Sequence, residues 1–401
     1  MKRFLSIFII ITLTAMLFGC GSTENKKEEE KVSIETGHTI YIREGYSKEI
    51  KAIFTSTESD ATETVTLEKL KSGEDYNTYS CTGDTEKYDR VQFIGDDSDK
   101  SMVLVFNEYV NGYHLKTGGN QGNTGIPFVY DKAETEIKYE TVPLKYGDTE
   151  KKIFIWTPEG YDKNDKNTKY SVIYMCDGQN LFSEYSTSYG CWNVAESVNS
   201  MMANSDKRCI IVGIDNGDGN RDNELTPNIG KLSSYVGSEF EDGTGEAFSN
   251  FVVKTVMPYI NNNYNVFTDR ENTSICGSSS GGIEAFYIGM EHPDKFNSIG
   301  ALSPAFILFE KDVWNSYLKG IDFKGNYPFI YTYCGQGDTL EKDLYTGTKA
   351  MLSYLKNINY PQEKIVFKEY TEAQHNEIFW RAIFPEYLKY TFSLDKTTLK
   401  D

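Results

Sequence analysis

The 401-residue sequence predicts an α/β fold with a mostly parallel central sheet, preceded by a small all-β segment, and three observations carry that reading. From about Thr135 the apolar runs "KKIFIWTP", "YSVIYMCDG", "RCIIVGIDNG", "NTSICGSS", "FNSIGALSP" and "YPFIYTYCG" alternate with helix-like stretches. Continuous apolar strands between helices need cover on both faces, which a parallel sheet flanked by helices supplies. From about Thr36 to Lys132 the runs are shorter and often alternate, as in "EIKAIF", "TVTLEKL", "RVQFIG" and "SMVLVFNEYV", with Gly, Asp and Ser between them. That texture is a sandwich-like antiparallel domain. The length and the 39% hydrophobic and 14% aromatic content suffice for a large core split between two domains.

The expected organisation is therefore a leader over 1–19, a tether over 20–35, a β-sandwich-like accessory domain over 36–132 and an α/β domain over 133–395. Lys2 and Arg3 precede an apolar run, Phe4 to Phe18, that is short for a bilayer span and reads as a signal peptide. It ends in Leu17-Phe18-Gly19-Cys20, which resembles the lipobox of bacterial lipoproteins, so Cys20 is expected to carry a lipid and hold the protein outside the cell on its membrane. The polar stretch after it has little to bury and reads as a flexible tether. A formal charge of −18 repels polyanions, so nucleic acid is excluded as a partner, and contact with the membrane rests on the anchor alone. Of the six cysteines besides Cys20, Cys176, Cys276 and Cys334 end apolar runs and are expected as free core thiols, while Cys81, Cys191 and Cys209 stay open.

The chemistry enters at Gly277-Ser278-Ser279-Ser280-Gly281-Gly282, between the strand "NTSIC" and the helix-like "GIEAFYIGMEHP". A G-x-S-x-G in a strand-turn-helix context is a nucleophile elbow, and only Ser279 has Gly two residues to either side. Serine needs a base, and the chain holds four histidines. His38 and His114 fall in the β segment and His292 ends the elbow helix. His375, in "TEAQHNEIFW" after the strand "KIVFKEY", stands where such a fold places its base. A carboxylate is then expected at the end of the preceding strand. Asp338 in "YTYCGQGDTLEKD" fits best by strand-end position, with Glu341 and Asp343 as competitors.

With "YMCDGQNLF", "IIVGIDNGDGNRDNELTP", "GSSSGG", "CGQGD" and "HNEIFWRAIFPEYLKY", residues from about Lys138 to Leu394 resemble the α/β-hydrolase family that includes enterochelin, feruloyl and acetyl-xylan esterases and mycolyltransferases. The resemblance implies an oxyanion hole made by the backbone N–H groups of Gln179 and Ser280. Cys176 stands where close relatives often have His, and Ser280 where Met is common, but neither change removes a backbone donor. Trp380 and Arg221 are candidates for substrate contact, with a packed aromatic and an Arg–carboxylate staple as the alternatives.

The expected function is a secreted, lipid-anchored serine esterase working through an acyl-enzyme, on acetyl or feruloyl groups of plant polysaccharide. A siderophore trilactone esterase is the second reading, and a non-catalytic carbohydrate-binding lipoprotein on a hydrolase scaffold is the third. No metal or nucleotide cofactor is implied: the calcium-like run from Asp218 has Asn223 where its turn needs Gly, and zinc and phosphate-loop signatures are lacking.

Overall fold

The structure, a computed structural model, describes residues 35–43, 49–73, 76–95, 100–101, 103–110, 112–116, 124–128, 137–182, 190–217, 219–235 and 243–393. The expected leader and Cys20 lie outside the described residues, as does nearly all of the tether.

The N-terminal segment builds two small sheets. Strands β1 (Glu35–Arg43), β4 (Glu68–Lys71), β5 (Tyr76–Asp84), β8 (Gly112–Lys116) and β9 (Thr124–Phe128) make one, in the order β4-β5-β1-β8-β9. Strands β2 (Lys51–Thr55), β3 (Thr62–Thr66), β6 (Arg90–Ile94) and β7 (Leu104–Val105) make the other, in the order β3-β2-β6-β7. Alternation sorts the side chains: Ala52 and Phe54 of β2 and Val91 and Phe93 of β6 are buried. Phe93 meets Tyr113 of the opposite sheet with ring centroids 5.3 Å apart, which closes the sandwich.

The second sheet system has eight strands: β10 (Glu140–Tyr146), β11 (Thr149–Trp156), β12 (Ser171–Met175), β13 (Cys209–Ile214), β14 (Thr273–Ser278), β15 (Ser298–Leu302), β16 (Phe329–Gly335) and β17 (Ile365–Tyr370). Their order is β10-β11-β13-β12-β14-β15-β16-β17. Strands β12 to β17 run parallel, and the hairpin β10–β11 joins antiparallel through β13. β10 contains Pro143, which its edge position tolerates because no further strand needs that N–H. The central strands β13, β14, β15 and β16 are buried at every position, which explains their unbroken apolar sequences.

Among the described residues, eight helices connect or flank these strands: α1 (Val194–Asn204), α2 (Arg221–Glu224), α3 (Gly245–Phe251), α4 (Met257–Asn263), α5 (Ser280–Glu291), α6 (Lys311–Lys319), α7 (Thr339–Asn357) and α8 (Glu377–Ser393). A π turn at Val252–Val256 joins α3 to α4. This is the expected α/β-hydrolase architecture, and its order places the loops after β12, β14, β16 and β17 along one sheet end. All six described cysteines are buried, and Cys81, Cys176, Cys209, Cys276 and Cys334 are free thiols.

The β segment does not stand apart from the hydrolase. Residues 34–401 form one compact unit, and a single apolar cluster runs from Val91, Phe93 and Leu104 to Phe384, Tyr387 and Leu388 of α8. At the seam Arg90 Nη1 donates to Glu386 Oε1 at 2.9 Å, with both side chains 4% exposed. Glu386 Oε2 also accepts from Tyr331 and Tyr370, at 2.8 and 3.0 Å, so the buried charge pair is held by donors from β16 and β17.

Candidate active site

Ser279 sits between β14 and α5 with φ 57° and ψ −126°, a conformation L-residues rarely hold. Close packing enforces it: a Cβ at Gly277 would lie 2.2 Å from the Gly281 carbonyl oxygen. The strain aims Oγ out of the elbow toward the loop after β17, where His375 Nε2 lies 3.0 Å away. His375 Nδ1 lies 2.8 Å from Glu341 Oε1. With the proton on Nδ1, the imidazole donates to Glu341 and accepts from Ser279. Glu341 is fully buried in the first turn of α7, and its Oε2 accepts from the Gly335 N–H at 2.7 Å.

The carboxylate that meets the imidazole therefore differs from the expected one. Asp338 caps α7, accepting from the Glu341 N–H at 2.8 Å through Oδ1 and from the His375 backbone N–H at 2.7 Å through Oδ2. It positions both partners by their main chains and leaves the ring nitrogen to Glu341, one helical turn further on. Asp343, the other competitor, accepts from Tyr235 instead. A signal for this was present: Asp338-Thr-Leu-Glu341 has the spacing of a capping box, which marks Asp338 as a cap.

The expected oxyanion donors lie on adjoining segments. Ser280 opens α5, so its N–H is one of the helix-start donors with no carbonyl a turn earlier. Gln179 lies in the 3₁₀ turn Gly178–Asn180 that leaves β12. Its side chain is tied down at both ends: Nε2 donates to Asp177 Oδ1 at 3.1 Å and Oε1 accepts from the Asn216 N–H at 3.0 Å. Elbow and turn touch, since a Cβ at Gly281 would lie 3.0 Å from Cys176 Cβ and from Asp177 Oδ2.

Residues 146–390 match the model of the Esterase family, described as "Putative esterase". The chain belongs to this family. It is a carboxylic ester hydrolase. Among its relatives, the uncharacterized protein YbbA of Bacillus subtilis (strain 168) is 19% identical over 251 residues, 61% of this chain and 94% of that one. Two solved structures are similar in fold. The ferulic acid esterase AmCE1/Fae1A of Anaeromyces mucronatus has a TM-score of 0.51 at 21% identity, covering 66% of this chain and 94% of its own. The enterochelin esterase of Shigella flexneri has a TM-score of 0.50 at 14% identity, covering 89% of this chain and 92% of its own.

In this esterase Arg221 forms a carboxylate staple and Trp380 packs as a buried aromatic. Arg221 clamps Asp177 with two bonds, Nε to Oδ1 at 2.7 Å and Nη2 to Oδ2 at 2.8 Å, and so fixes the strand end from which the Gln179 turn departs. Trp380 is 4% exposed. Its ring meets the His375 ring edge to face at 5.0 Å, and its Nε1 donates to Ser303 Oγ at 3.0 Å, so it backs the imidazole from inside the protein.

Beneath the elbow, Lys151 Nζ bonds Glu224 Oε2 at 2.8 Å, and Glu284 of α5 lies fully buried, with neither carboxyl oxygen meeting a hydrogen-bonding partner among the described residues. Burial, and then the Glu224 charge, push the Glu284 carboxyl well above the ordinary glutamate range. The folded state thus keeps a proton that the unfolded chain has released. Its contribution is complete below the ordinary glutamate range and is lost as pH rises toward the raised value. We expect Glu284→Gln to match the parent melting temperature at pH 4 and to exceed it increasingly up to pH 8. A difference independent of pH in thermal melts would contradict this.

Proposed function

We propose that the esterase hydrolyses its substrate through an acyl-enzyme on Ser279, with His375 as general base and then acid, and Glu341 as the carboxylate that orients the imidazole. The observation that carries this is the unbroken line of contacts from Ser279 Oγ to His375 at 3.0 Å and from His375 to Glu341 at 2.8 Å, set at a strained elbow. His375 Nε2 takes the Ser279 proton as Oγ attacks the acyl carbon. The negative charge that builds on the carbonyl oxygen goes to the N–H groups of Gln179 and Ser280, each worth about 3 to 4 kcal/mol in sites of this kind. As the tetrahedral species collapses, His375 returns the proton to the departing alcohol. Water then repeats the cycle on the acyl-enzyme and releases the acid.

The acid assignment has a direct test. Glu341→Gln leaves the helix cap intact but presents an amide to Nδ1, so kcat for an aryl acetate should fall by about 10⁴-fold, as when a triad acid is neutralised. Asp338→Asn keeps a capping oxygen, so its kcat should stay within about tenfold of the parent. The reverse order of effects would return the role to Asp338.

For the substrate, we infer acetyl or hydroxycinnamoyl groups ester-linked to plant polysaccharide, cleaved outside the cell by a protein anchored through a lipid on Cys20. The leader sequence and the fold likeness to a ferulic acid esterase support this reading. A second reading, a siderophore trilactone, is favoured by the enterochelin esterase likeness, which extends over the β segment as well as the hydrolase. Charge argues against it. The formal charge is −18, and Arg221 and Arg381 are committed to carboxylates, Arg221 to Asp177 and Arg381 to Glu196. Release of ferulate and acetate from xylans, set beside cleavage of a ferric trilactone, decides between them. Faster turnover of the trilactone would overturn the polysaccharide reading.

A further inference from the structure

Ser279, His375 and Glu341 leave one ionisable group beside them without a role. Glu377 opens α8 two residues after His375, is 5% exposed, and accepts from Asn180 Nδ2 at 2.9 Å through Oε1. Asn180 closes the turn that carries Gln179, and its carbonyl accepts from the Trp192 N–H at 2.9 Å. One hydrogen bond thus couples the segment that bears the base to the segment that bears an expected oxyanion donor.

The groups facing the Glu377 carboxyl come from three elements. Asp177 lies at the end of β12, Arg221 on α2 is clamped to it, and His375 lies on the Glu377 segment itself. Burial raises the carboxyl most and Asp177 adds to it, while the Glu377 backbone N–H, His375 and Arg221 pull it down, leaving it pushed up to about 7. At neutral pH the group is therefore divided between acid and carboxylate.

We propose that Glu377 is a positioning residue of this esterase, which ties the oxyanion turn to the His375 segment and sets the charge beside both. The proposal rests on the assignment of Ser279 and His375 given above. When Glu377 is ionised, the bond from Asn180 is charge-assisted and stronger. When Glu377 is protonated, the bond weakens.

Three variants separate the tie from the charge. Glu377→Gln keeps an acceptor for Asn180 and never ionises. Glu377→Ala removes both, and Asn180→Ala cuts the bond from the other side. On an aryl acetate, kcat of the parent and of Glu377→Gln should diverge as pH rises through the neutral range, where only the parent gains the charge-assisted bond. The Glu377→Gln kcat at high pH should remain within about threefold of the parent, since the hydrogen bond survives. Glu377→Ala and Asn180→Ala should each lose about tenfold in kcat with KM little changed, and the double variant should be no worse than either, because both break one contact.

A Glu377→Gln pH profile that superimposes on the parent's, or parental kcat in Asn180→Ala, would overturn the proposal. Should Glu377→Ala fail to fold in a thermal melt, those two measurements decide it alone. Ser279→Ala run in parallel separates the failures. An active Ser279→Ala would undo the site itself, whereas an inactive one beside an unmoved Glu377→Gln profile undoes only the role of Glu377.

Discussion

Replacing Ser279 or His375 by alanine should reduce kcat for a simple aryl acetate by about 10⁶-fold, and replacing both should cost hardly more. The non-additivity follows from the 3.0 Å contact between Oγ and Nε2. Without the base the hydroxyl keeps its proton, and without the hydroxyl the base has nothing to deprotonate, so either loss removes the same step. Residual turnover in all three variants should be alike, because the backbone donors at Gln179 and Ser280 are untouched. Steady-state kinetics on a chromogenic acetate reads all of this. Losses that multiply in the double variant would mean that the two residues act in separate steps.

Removal of residues 1–132 should prevent the remainder from folding. That expectation reverses the simplest reading of the sequence, in which the β segment is an accessory module that can be cut away. The reason lies at the seam. Deletion takes away Arg90 and Asn107, which bond Glu386 and the Pro385 carbonyl of α8, and leaves Glu386 with Lys368 Nζ, 3.8 Å away, as its remaining cation. A point change isolates the electrostatic part: Arg90→Met should destabilise the protein by about 3 to 5 kcal/mol, the range for removing one partner of a buried ion pair. A soluble 133–401 fragment that melts cooperatively and keeps its rate on small esters would show that the hydrolase is self-sufficient.

The parallel core was legible because a strand buried on both faces must be apolar throughout, and runs such as Cys209–Ile214 and Phe329–Gly335 carry that mark. Ser279 was legible for an equally local reason, the glycines two residues to either side. His375 followed by elimination among few histidines. The acid was not legible, because Asp338 and Glu341 lie three residues apart on a strand-to-helix turn. Which of them reaches Nδ1 depends on where α7 starts. Once Asp338 is spent as the cap, the Glu341 side chain is the one directed at the imidazole. The pairing inside the first small sheet was also obscure. β1 and β5 are rich in polar residues, and they pair across a gap of more than thirty positions, which no local pattern reveals. The seam is the extreme case: Arg90 and Glu386 are 296 residues apart, and nothing in the neighbourhood of either announces the other. Arg221 and Trp380 show a related limit, since motif position located them near the site but could not say which way their side chains face.

The central claim is that Ser279 becomes covalently acylated, and the most direct measurement is intact-protein mass spectrometry after exposure to an aryl phosphonofluoridate, followed by peptide mapping. One adduct per chain should form, on the peptide that contains Ser279, and it should be lost in Ser279→Ala and slowed by orders of magnitude in His375→Ala. An adduct on another residue, or the same stoichiometry in Ser279→Ala, would contradict the account.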